Sequence, residues 1–325
     1  MTIGISAAEL DLLVLGDCNP DVLALGADVT PAFGQQEKLV DSISLVVGGS
    51  AAITAVAAAR LGLRVALAAA IGADPAGDFM LGQLAAEEVD TAAIVIRPAA
   101  ATGMSVALSH GSDRAILTAT GAMTSLTADD VPRGLLSLVR HVHVSSYFLL
   151  EHSLGPGLAE LLAAARAGGA TTSLDTNWDP SGRWGGDQLL SVLASTDVLL
   201  PNEEEAKQLS GQRDPCDALR VLAATGPAVV VKLGARGAMC MDGARPRWTQ
   251  PPSELAGEFV DATGAGDCFN AGVIAGLLAG MPLPAAVDLG CATGSASTRG
   301  AGGTAAAPDL AVALSLAKTV SSGLA

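Results

Sequence analysis

The chain carries, between residues 260 and 272, the stretch Val260-Asp261-Ala262-Thr263-Gly264-Ala265-Gly266-Asp267-Cys268-Phe269-Asn270-Ala271-Gly272. Two glycines flank Ala265, and an apolar segment rich in Ala and Gly continues to Leu278, which predicts a buried helix. A glycine-rich turn that opens a helix directs several backbone N–H groups to one point, where the helix dipole adds positive potential. The stretch therefore predicts an anion cradle formed by the backbone of Gly264, Ala265 and Gly266.

The carboxylate of Asp267 follows these glycines directly and would repel a bound phosphate. Its position is explained if it faces a second substrate and takes a proton from it. A cradle and a base together suit phosphoryl transfer to a hydroxyl. The structural alternative is a helix start in which the glycines allow close packing and Asp267 caps the helix.

The whole stretch resembles the Asp-Thr-x-Gly-Ala-Gly-Asp signature of the PfkB/ribokinase family of carbohydrate kinases, with Ala262 where Thr is common. It matches neither a Walker A loop nor the Gly-x-Gly-x-x-Gly dinucleotide fingerprint. The resemblance implies an ATP- and Mg²⁺-dependent kinase acting on a hydroxyl of a sugar-like molecule, with Asp267 as the general base. It also implies that Asp261 and Thr263 hold the loop and a candidate K⁺ ion.

Composition excludes several other classes of protein. The chain has 325 residues, of which 50% are hydrophobic and 16% charged, with a formal net charge of -15. This surface charge argues against nucleic acid and anionic membranes as partners. The five cysteines form no Cys-x-x-Cys pair, and Met1 to Leu10 has no basic segment typical of a secretory signal, so we expect reduced thiols in a cytoplasmic protein.

Strand and helix patterns alternate along the chain, and one of the buried strands is predicted over Arg64–Ile71. This alternation predicts an α/β fold with a mostly parallel central sheet and helices on both faces. The resemblance implies a ribokinase-like three-layer sandwich, with residues 1–325 forming one kinase domain.

A small β-sheet lid is predicted from strands within about 20–47 and 97–120. Two alternating runs, Met104–Ser109 and Arg114–Ala119, are joined by His110-Gly111-Ser112-Asp113, which is typical of a hairpin. In the family such strands cover the sugar site, and the resemblance implies a homodimer formed through the lid.

The acceptor side of the site is predicted near the first strand and the first long helix. Asp21 follows a strand in a turn-forming segment, and its role as a sugar ligand is implied by the resemblance. Gly48 and Gly49 precede the helix and match the family's Gly-Gly motif. Ile53 stands where the family has a ligand Asn, so Thr54 is the nearest polar substitute.

A second acceptor segment is Asp175-Thr176-Asn177-Trp178-Asp179, which resembles the family's Asp-x-Asn-x-Arg. Asn177 is therefore predicted to bind the acceptor. Asp179 occupies the place of the usual Arg, for which Arg183 is a candidate replacement.

The nucleotide side is predicted from two later segments. Asn202 and Glu205 are explained either by a helix start that tolerates acids or by a site that orients Mg²⁺ waters, and they resemble the family's Asn-x-x-Glu. Lys232, Gly234 and Gly237 resemble the segment that passes along the ATP phosphates.

Three alternatives to a simple sugar acceptor stay open. A nucleoside needs an apolar base pocket, for which Phe33 and Tyr147 are candidates. A 2-keto-3-deoxy sugar acid needs a cation, for which Arg97 and Arg183 are candidates. A sugar- or nucleotide-binding sensor without activity would retain the fold alone. His141 and His143 share a strand face, but hydrogen bonding explains them better than a metal pair.

Overall fold

The fold is known from a computed structural model that describes residues 10–110, 113–241, 246–252, 255, 257–320 and 322–324. The strands are β1 (Leu10–Leu15), β2 (Asn19–Leu25), β3 (Ser42–Gly48), β4 (Val65–Ala68), β5 (Ala70–Gly72), β6 (Val95–Arg97), β7 (Met104–His110), β8 (Asp113–Ala119), β9 (Val139–Val144), β10 (Thr171–Leu174), β11 (Val198–Leu199), β12 (Ala228–Lys232), β13 (Ala238–Met241), β14 (Arg247–Thr249) and β15 (Ser322–Leu324). The α-helices are α1 (Ser50–Arg60), α2 (Pro75–Ala86), α3 (Tyr147–Leu150), α4 (Gly155–Ala167), α5 (Asp187–Leu193), α6 (Glu203–Ser210), α7 (Pro215–Ala223), α8 (Ala265–Leu278), α9 (Leu283–Ser297) and α10 (Leu310–Ala317).

The central sheet has the strand order β15-β14-β13-β12-β11-β10-β9-β1-β4 within the described residues. The strands from β12 to β4 run parallel to their neighbours, and β13, β14 and β15 add an antiparallel edge. Parallel strands place all their carboxyl ends at one edge, which is where open α/β sheets bind ligands.

Helices cover both faces of this sheet, and the buried side chains of the described residues form three apolar clusters. One cluster packs α4, α5 and α7 against the sheet, a second packs α1 and α8, and a third packs α8 and α9 against β12 and β13. Most of the α1 residues in the cluster with α8 are alanines, and their small side chains let α1 lie close to α8. The predicted α/β architecture is confirmed.

The small second sheet has the order β3-β2-β7-β8, with β2 parallel to β7 and the outer pairs antiparallel. Its strands overlap the ranges predicted for the lid, about 20–47 and 97–120, and β2 and β3 each extend one residue beyond the first range. The predicted hairpin turn at residues 111 and 112 lies outside the described residues.

One predicted strand, Arg64–Ile71, is two strands in the structure. β4 lies beside β1 in the central sheet, whereas β5 pairs with β6 in a separate two-stranded sheet. The chain changes partners at Ala69, whose carbonyl oxygen accepts the Val95 amide. Hydrophobic pattern alone does not show this change, since both strands are fully buried. In the part of the chain that the structure describes, no helix has the length and apolarity needed to cross a bilayer.

Candidate active site

Polar residues collect at the edge of the central sheet where the parallel strands end. Asp17 follows β1, Asp175 follows β10, Asn202 follows β11 and Lys232 closes β12. The first turn of α8 carries Asp267 to the same place, where it interacts electrostatically with Asp175, Lys232 and Asp17. Sheet order therefore assembles a site from residues far apart in the chain.

The turn that opens α8 packs tightly against a neighbouring glycine loop. Gly264 adopts a left-handed backbone with φ of 71°, and a Cβ there would lie 2.4 Å from the Cα of Gly303. A Cβ at Gly303 would in turn lie 2.5 Å from Cδ1 of Ile53. Ile53, at the position of the family Asn, therefore supports the backbone of this turn through apolar contacts.

Not every backbone amide of this turn is free to donate to a bound anion. The Ala265 N–H donates to the Ala262 carbonyl oxygen over 3.2 Å, so it is used inside the turn. Gly266 and Asp267 lie in the first turn of α8, where N–H groups have no acceptor within the helix. Compared with the predicted cradle of Gly264, Ala265 and Gly266, the available donors are shifted toward Gly266 and Asp267.

The Asp267 carboxyl group is buried among other acids. Burial raises its pKa well above the usual range, and the negative charges of Asp175 and Asp17 raise it further. The Lys232 ammonium and a hydrogen bond from Ser50 oppose this shift. Once ionised, a carboxylate of raised pKa is a stronger proton acceptor than an exposed one.

Lys232 lies inside this acid cluster. Its Nζ forms an ion pair with Asp175 and lies 3.4 Å from Oδ1 of Asn270. Asn270 Nδ2 donates to the same Asp175 carboxylate over 2.6 Å. A Cβ at Gly266 would lie 3.6 Å from Lys232 Nζ, so the ammonium lies against the turn that opens α8.

The predicted acceptor residues Asp21 and Gly48 touch each other. A Cβ at Gly48 would lie 2.1 Å from Cγ of Asp21, so any larger residue there would displace this carboxylate. Asn19 Nδ2 donates to Asp21 over 2.9 Å. Gly49, with φ of 80°, starts α1 beside Asp17, which accepts amides of that helix.

Asn177 and Thr54, also predicted to bind the acceptor, make internal hydrogen bonds. Asn177 Nδ2 donates to Ser50 Oγ over 2.8 Å, and its Oδ1 accepts the Ser146 amide over 2.7 Å. Thr54 is 0% exposed, and its hydroxyl donates to the Asp267 carbonyl oxygen over 3.5 Å. Both side chains brace residues beside the acid cluster, and direct contact with an acceptor stays a prediction.

Asp179 has a structural explanation. Its carboxylate accepts the amides of Ser181, Arg183 and Trp184, so it holds the loop after β10 together. The guanidinium of Arg183, the candidate replacement for the family Arg, donates to Glu151 over 2.8 Å, and its role in the site stays a prediction.

Three of the residues that would support other acceptors lie in different surroundings. Arg97 donates to Asp130 over 2.7 Å. Tyr147 is buried in the core, and Phe33 is 95% exposed. None of these contacts builds a carboxylate pocket or a base pocket from those residues.

Asn202 and Glu205 form a reciprocal cap at the start of α6. Asn202 Oδ1 accepts the Glu205 amide over 2.9 Å, and the Glu205 carboxylate accepts the Asn202 amide over 2.8 Å. Burial, with the charge of Asp175, raises the pKa of Glu205 to about 7. The helix-capping alternative thus describes the observed contacts, and a Mg²⁺ role stays a prediction.

Gly234 and Gly237 serve different purposes. A Cβ at Gly237 would lie 1.9 Å from the Thr249 carbonyl oxygen, so the packing of β13 on β14 requires glycine. Gly234 has φ of 58°, and a Cβ there would meet no atom of the described residues beyond its chain neighbours within 4 Å. Contact of either glycine with a nucleotide stays a prediction.

Asp261 joins three parts of the site. Its Oδ1 accepts the amide and hydroxyl of Thr263 over 3.1 and 3.0 Å, and Ser109 of the lid strand β7 over 3.4 Å. Its Oδ2 accepts the Gly302 amide over 2.9 Å. Because these donors already satisfy the carboxylate, the contacts do not call for a K⁺ ion at its oxygens.

His141 and His143 belong to a buried chain of hydrogen bonds between β9 and β10. Ser173 Oγ lies 2.7 Å from His141 Nε2 and 2.7 Å from His143 Nδ1, and Thr171 and Ser145 complete the two ends. Burial lowers the pKa of His141 to about 3 and that of His143 to about 4, so both are neutral. Across the described residues, no three His, Cys, Asp or Glu side chains are grouped as a metal site.

Sequence reasoning missed the partnership of Asp175, Lys232 and Asn270. The signal available was spacing: Asn270 lies three residues after Asp267, so both share one face of α8. Asp175 and Lys232 each end a strand, but the order of strands was needed to join them.

Comparison with known proteins gives the family of the chain. The model of the pfkB family of carbohydrate kinases matches residues 10–310. The chain belongs to this family. A PfkB-family relative, the ribokinase of Haemophilus influenzae, is 29% identical over 91% of this chain and 95% of its own length. An ATP-dependent 6-phosphofructokinase of Thermoanaerobacterium thermosaccharolyticum is 25% identical over 92% of this chain and 94% of its own.

Solved structures support the same PfkB assignment. A putative Ribokinase II from E. coli, in complex with ATP and Mg²⁺, superposes with a TM-score of 0.82 at 25% identity, covering 95% of this chain and 99% of that one. The protein is therefore a kinase of the PfkB family with the ribokinase-like fold that its sequence resembles.

Proposed function

We propose that this protein transfers the γ-phosphoryl group of ATP to a hydroxyl of an uncharged, sugar-like acceptor. The observation that carries the proposal is the buried Asp267 carboxylate in the same helical turn as the glycine-rich N-terminus of α8. A proton acceptor and a group of preorganised backbone donors are thereby held within one turn.

Asp267 acts as the general base in the proposed reaction. It takes the proton of the acceptor hydroxyl while the hydroxyl oxygen forms a bond to the γ-phosphorus and the bond to ADP breaks. The first-turn amides of α8 and the helix dipole stabilise the negative charge of the transferred group. Losing one such donor typically raises the barrier by about 3 kcal/mol.

The nucleotide is proposed to lie along Gly234, Gly237 and Asn202, with Lys232 as a further candidate. The ATP–Mg²⁺ complex of the E. coli neighbour supports this choice of cosubstrate. Glu205 suits Mg²⁺ through water, because its buried carboxylate lies in a cluster with more acids than cations. Bound Mg²⁺ would neutralise charge on the phosphates. A K⁺ ion near Asp261 and Thr263 gains no support from their contacts.

The acceptor is proposed to meet Asp21, Gly48 and Gly49 beneath the lid. The pairing of Arg97 and Arg183 with other acids weighs against a sugar acid held by these residues. The positions of Tyr147 and Phe33 weigh against a nucleoside stacked on them. A neutral polyol needs neither a cation nor an aromatic wall.

We further propose that residues 1–325 form one kinase domain and that two copies pair through the lid. Its edge strands β3 and β8 expose Ile43, Leu45, Ile116 and Leu117 to solvent. Exposed apolar side chains on unpaired edge strands favour association with a second sheet. Leu117→Lys should convert a dimer into a monomer in sedimentation experiments, and an unchanged mass would refute the lid interface.

The function is tested by ATP consumption with Mg²⁺ across neutral sugars, sugar acids and nucleosides. Asp267→Asn should lower kcat by about 100-fold or more while the variant still binds ATP. Asp217→Asn, which removes a surface carboxylate paired with Arg220, is the matched control and should keep full activity. Turnover that survives in Asp267→Asn would exclude this residue as the base. Binding of sugars without any turnover would favour a sensor.

A further inference from the structure

A buried cation lies directly behind the proposed anion site. Lys232 Nζ is paired with Asp175, lies 3.4 Å from Asn270 Oδ1, and would be 3.6 Å from a Cβ at Gly266. The Lys232 side chain is only 12% exposed. An ion pair this buried is weak evidence for a stabilising role, because desolvation offsets the attraction.

The groups around Lys232 come from several elements and are mostly acidic. Asp175 follows β10, Glu205 lies on α6, and Asp267 lies on α8, and each interacts with the ammonium electrostatically. The negative charge of Asp17, which follows β1, further raises the pKa of Asp267. His143 on β9 also faces the pair and is neutral. Lys232 therefore supplies positive charge to a cluster in which acids predominate.

The contacts connect this cation to the proposed base through one helix. Asn270 Nδ2 donates to Asp175 over 2.6 Å, and Asn270 lies one turn after Asp267 on α8. Removing Lys232 would leave Asp175 as an uncompensated charge near Asp267. Two close carboxylates do not both ionise readily without a compensating cation.

We propose that Lys232 is a positioning residue that, through Asp175 and Asn270, keeps α8 in place and keeps Asp267 ionised until it takes the proton of the acceptor hydroxyl. This inference rests on the proposed function of Asp267 as the base. It assigns Lys232 a role different from the direct nucleotide contact that its position in the sequence suggested.

The test is a double-mutant cycle of Lys232→Met, Asp175→Asn and the double variant. For each variant, kcat/KM for the acceptor is measured as a function of pH. Lys232→Met should move the acid limb of the profile upward by about one pH unit or more, which is a tenfold loss on that limb. Asp175→Asn should move it downward, because one negative neighbour of Asp267 is removed. The double variant removes both charges and should return the limb close to that of the wild type.

Lys207→Met is the matched control, since Lys207 forms an ion pair with Glu203 outside the cluster. It should leave the acid limb in place. If Lys232→Met does not fold, Asp175→Asn alone still tests the direction of the shift.

Three results would overturn the proposal. The first is an unchanged acid limb in Lys232→Met together with a large rise in KM for ATP. The second is a double variant that is as impaired as Lys232→Met. The third is a Lys232→Met variant that loses thermal stability while its pH profile stays unchanged. Failure of the proposed function is distinguishable, because Asp267→Asn would then retain turnover whatever the Lys232 variants show.

Discussion

The turn that opens α8 makes a sharp prediction for Gly264→Ala. Gly264 has φ of 71°, and alanine there costs about 1–2 kcal/mol from backbone strain alone. The added Cβ would also lie 2.4 Å from the Cα of Gly303. Neither backbone can absorb that overlap in place, so the amides of the turn must move. We expect kcat to fall by about 100-fold, as when one preorganised donor is lost.

Gly211→Ala separates the two causes. Gly211 ends α6 with φ of 70°, nearly that of Gly264, but a Cβ there would meet no atom of the described residues beyond its chain neighbours within 4 Å. It should therefore carry the backbone strain without the overlap. For a chain of 325 residues, a loss of 1 kcal/mol corresponds to about 1.5 °C in Tm. Thermal unfolding of both variants and kcat at saturating ATP and acceptor give the comparison.

A Gly264→Ala variant that keeps kcat within about threefold of the wild type, and loses no more stability than Gly211→Ala, would contradict this prediction. That outcome would show that contact with Gly303 does not set the position of the catalytic turn.

Three further predictions follow from other contacts. Gly48→Ala would place a Cβ 2.1 Å from Cγ of Asp21, and a displaced carboxylate should lower kcat/KM for the acceptor by about 100-fold while KM for ATP stays constant in steady-state assays. In the folded protein the pKa of Glu205 is raised to about 7, whereas in the unfolded chain it is near 4.5. Between these two pH values the folded protein holds a proton that the unfolded chain has lost. The contribution of Glu205 to the free energy of unfolding should therefore fall as pH rises from 4.5 to 7. Glu205→Gln should flatten this slope in denaturant titrations, and an unchanged slope would contradict the assignment. Ser173→Ala leaves two buried imidazole nitrogens unpaired, so the unfolding free energy should drop by about 1–3 kcal/mol. The pH profile of kcat should not change, and a shifted profile would link His143 to catalysis.

The Asn202–Glu205 pair illustrates a motif with two valid explanations. Its spacing fits a helix cap and the family's Asn-x-x-Glu equally well. The structure shows the cap, with both residues bonded to each other. The Mg²⁺ role of this pair stays a prediction.

The departures from the family pattern were visible in the sequence, but their explanation was not. Ile53 supports Gly303 by packing, and Asp179 organises a loop through three amides. Each role depends on neighbours remote in sequence or on loop conformation. Neither the remote neighbours nor the loop conformation follows from residue type or spacing.

Local pattern alone determined the α/β class, the alternating runs that form β7 and β8, and the turn before α8. These features depend on alternation, on glycine and on capping, which are properties of neighbouring residues. Only the tertiary structure decided that Lys232 pairs with Asp175, 57 residues away, and that Asn270 meets the same carboxylate across 95 residues. The physical reason is that strand order and helix placement bring these groups to one edge of the sheet, where burial strengthens the interactions between their charges.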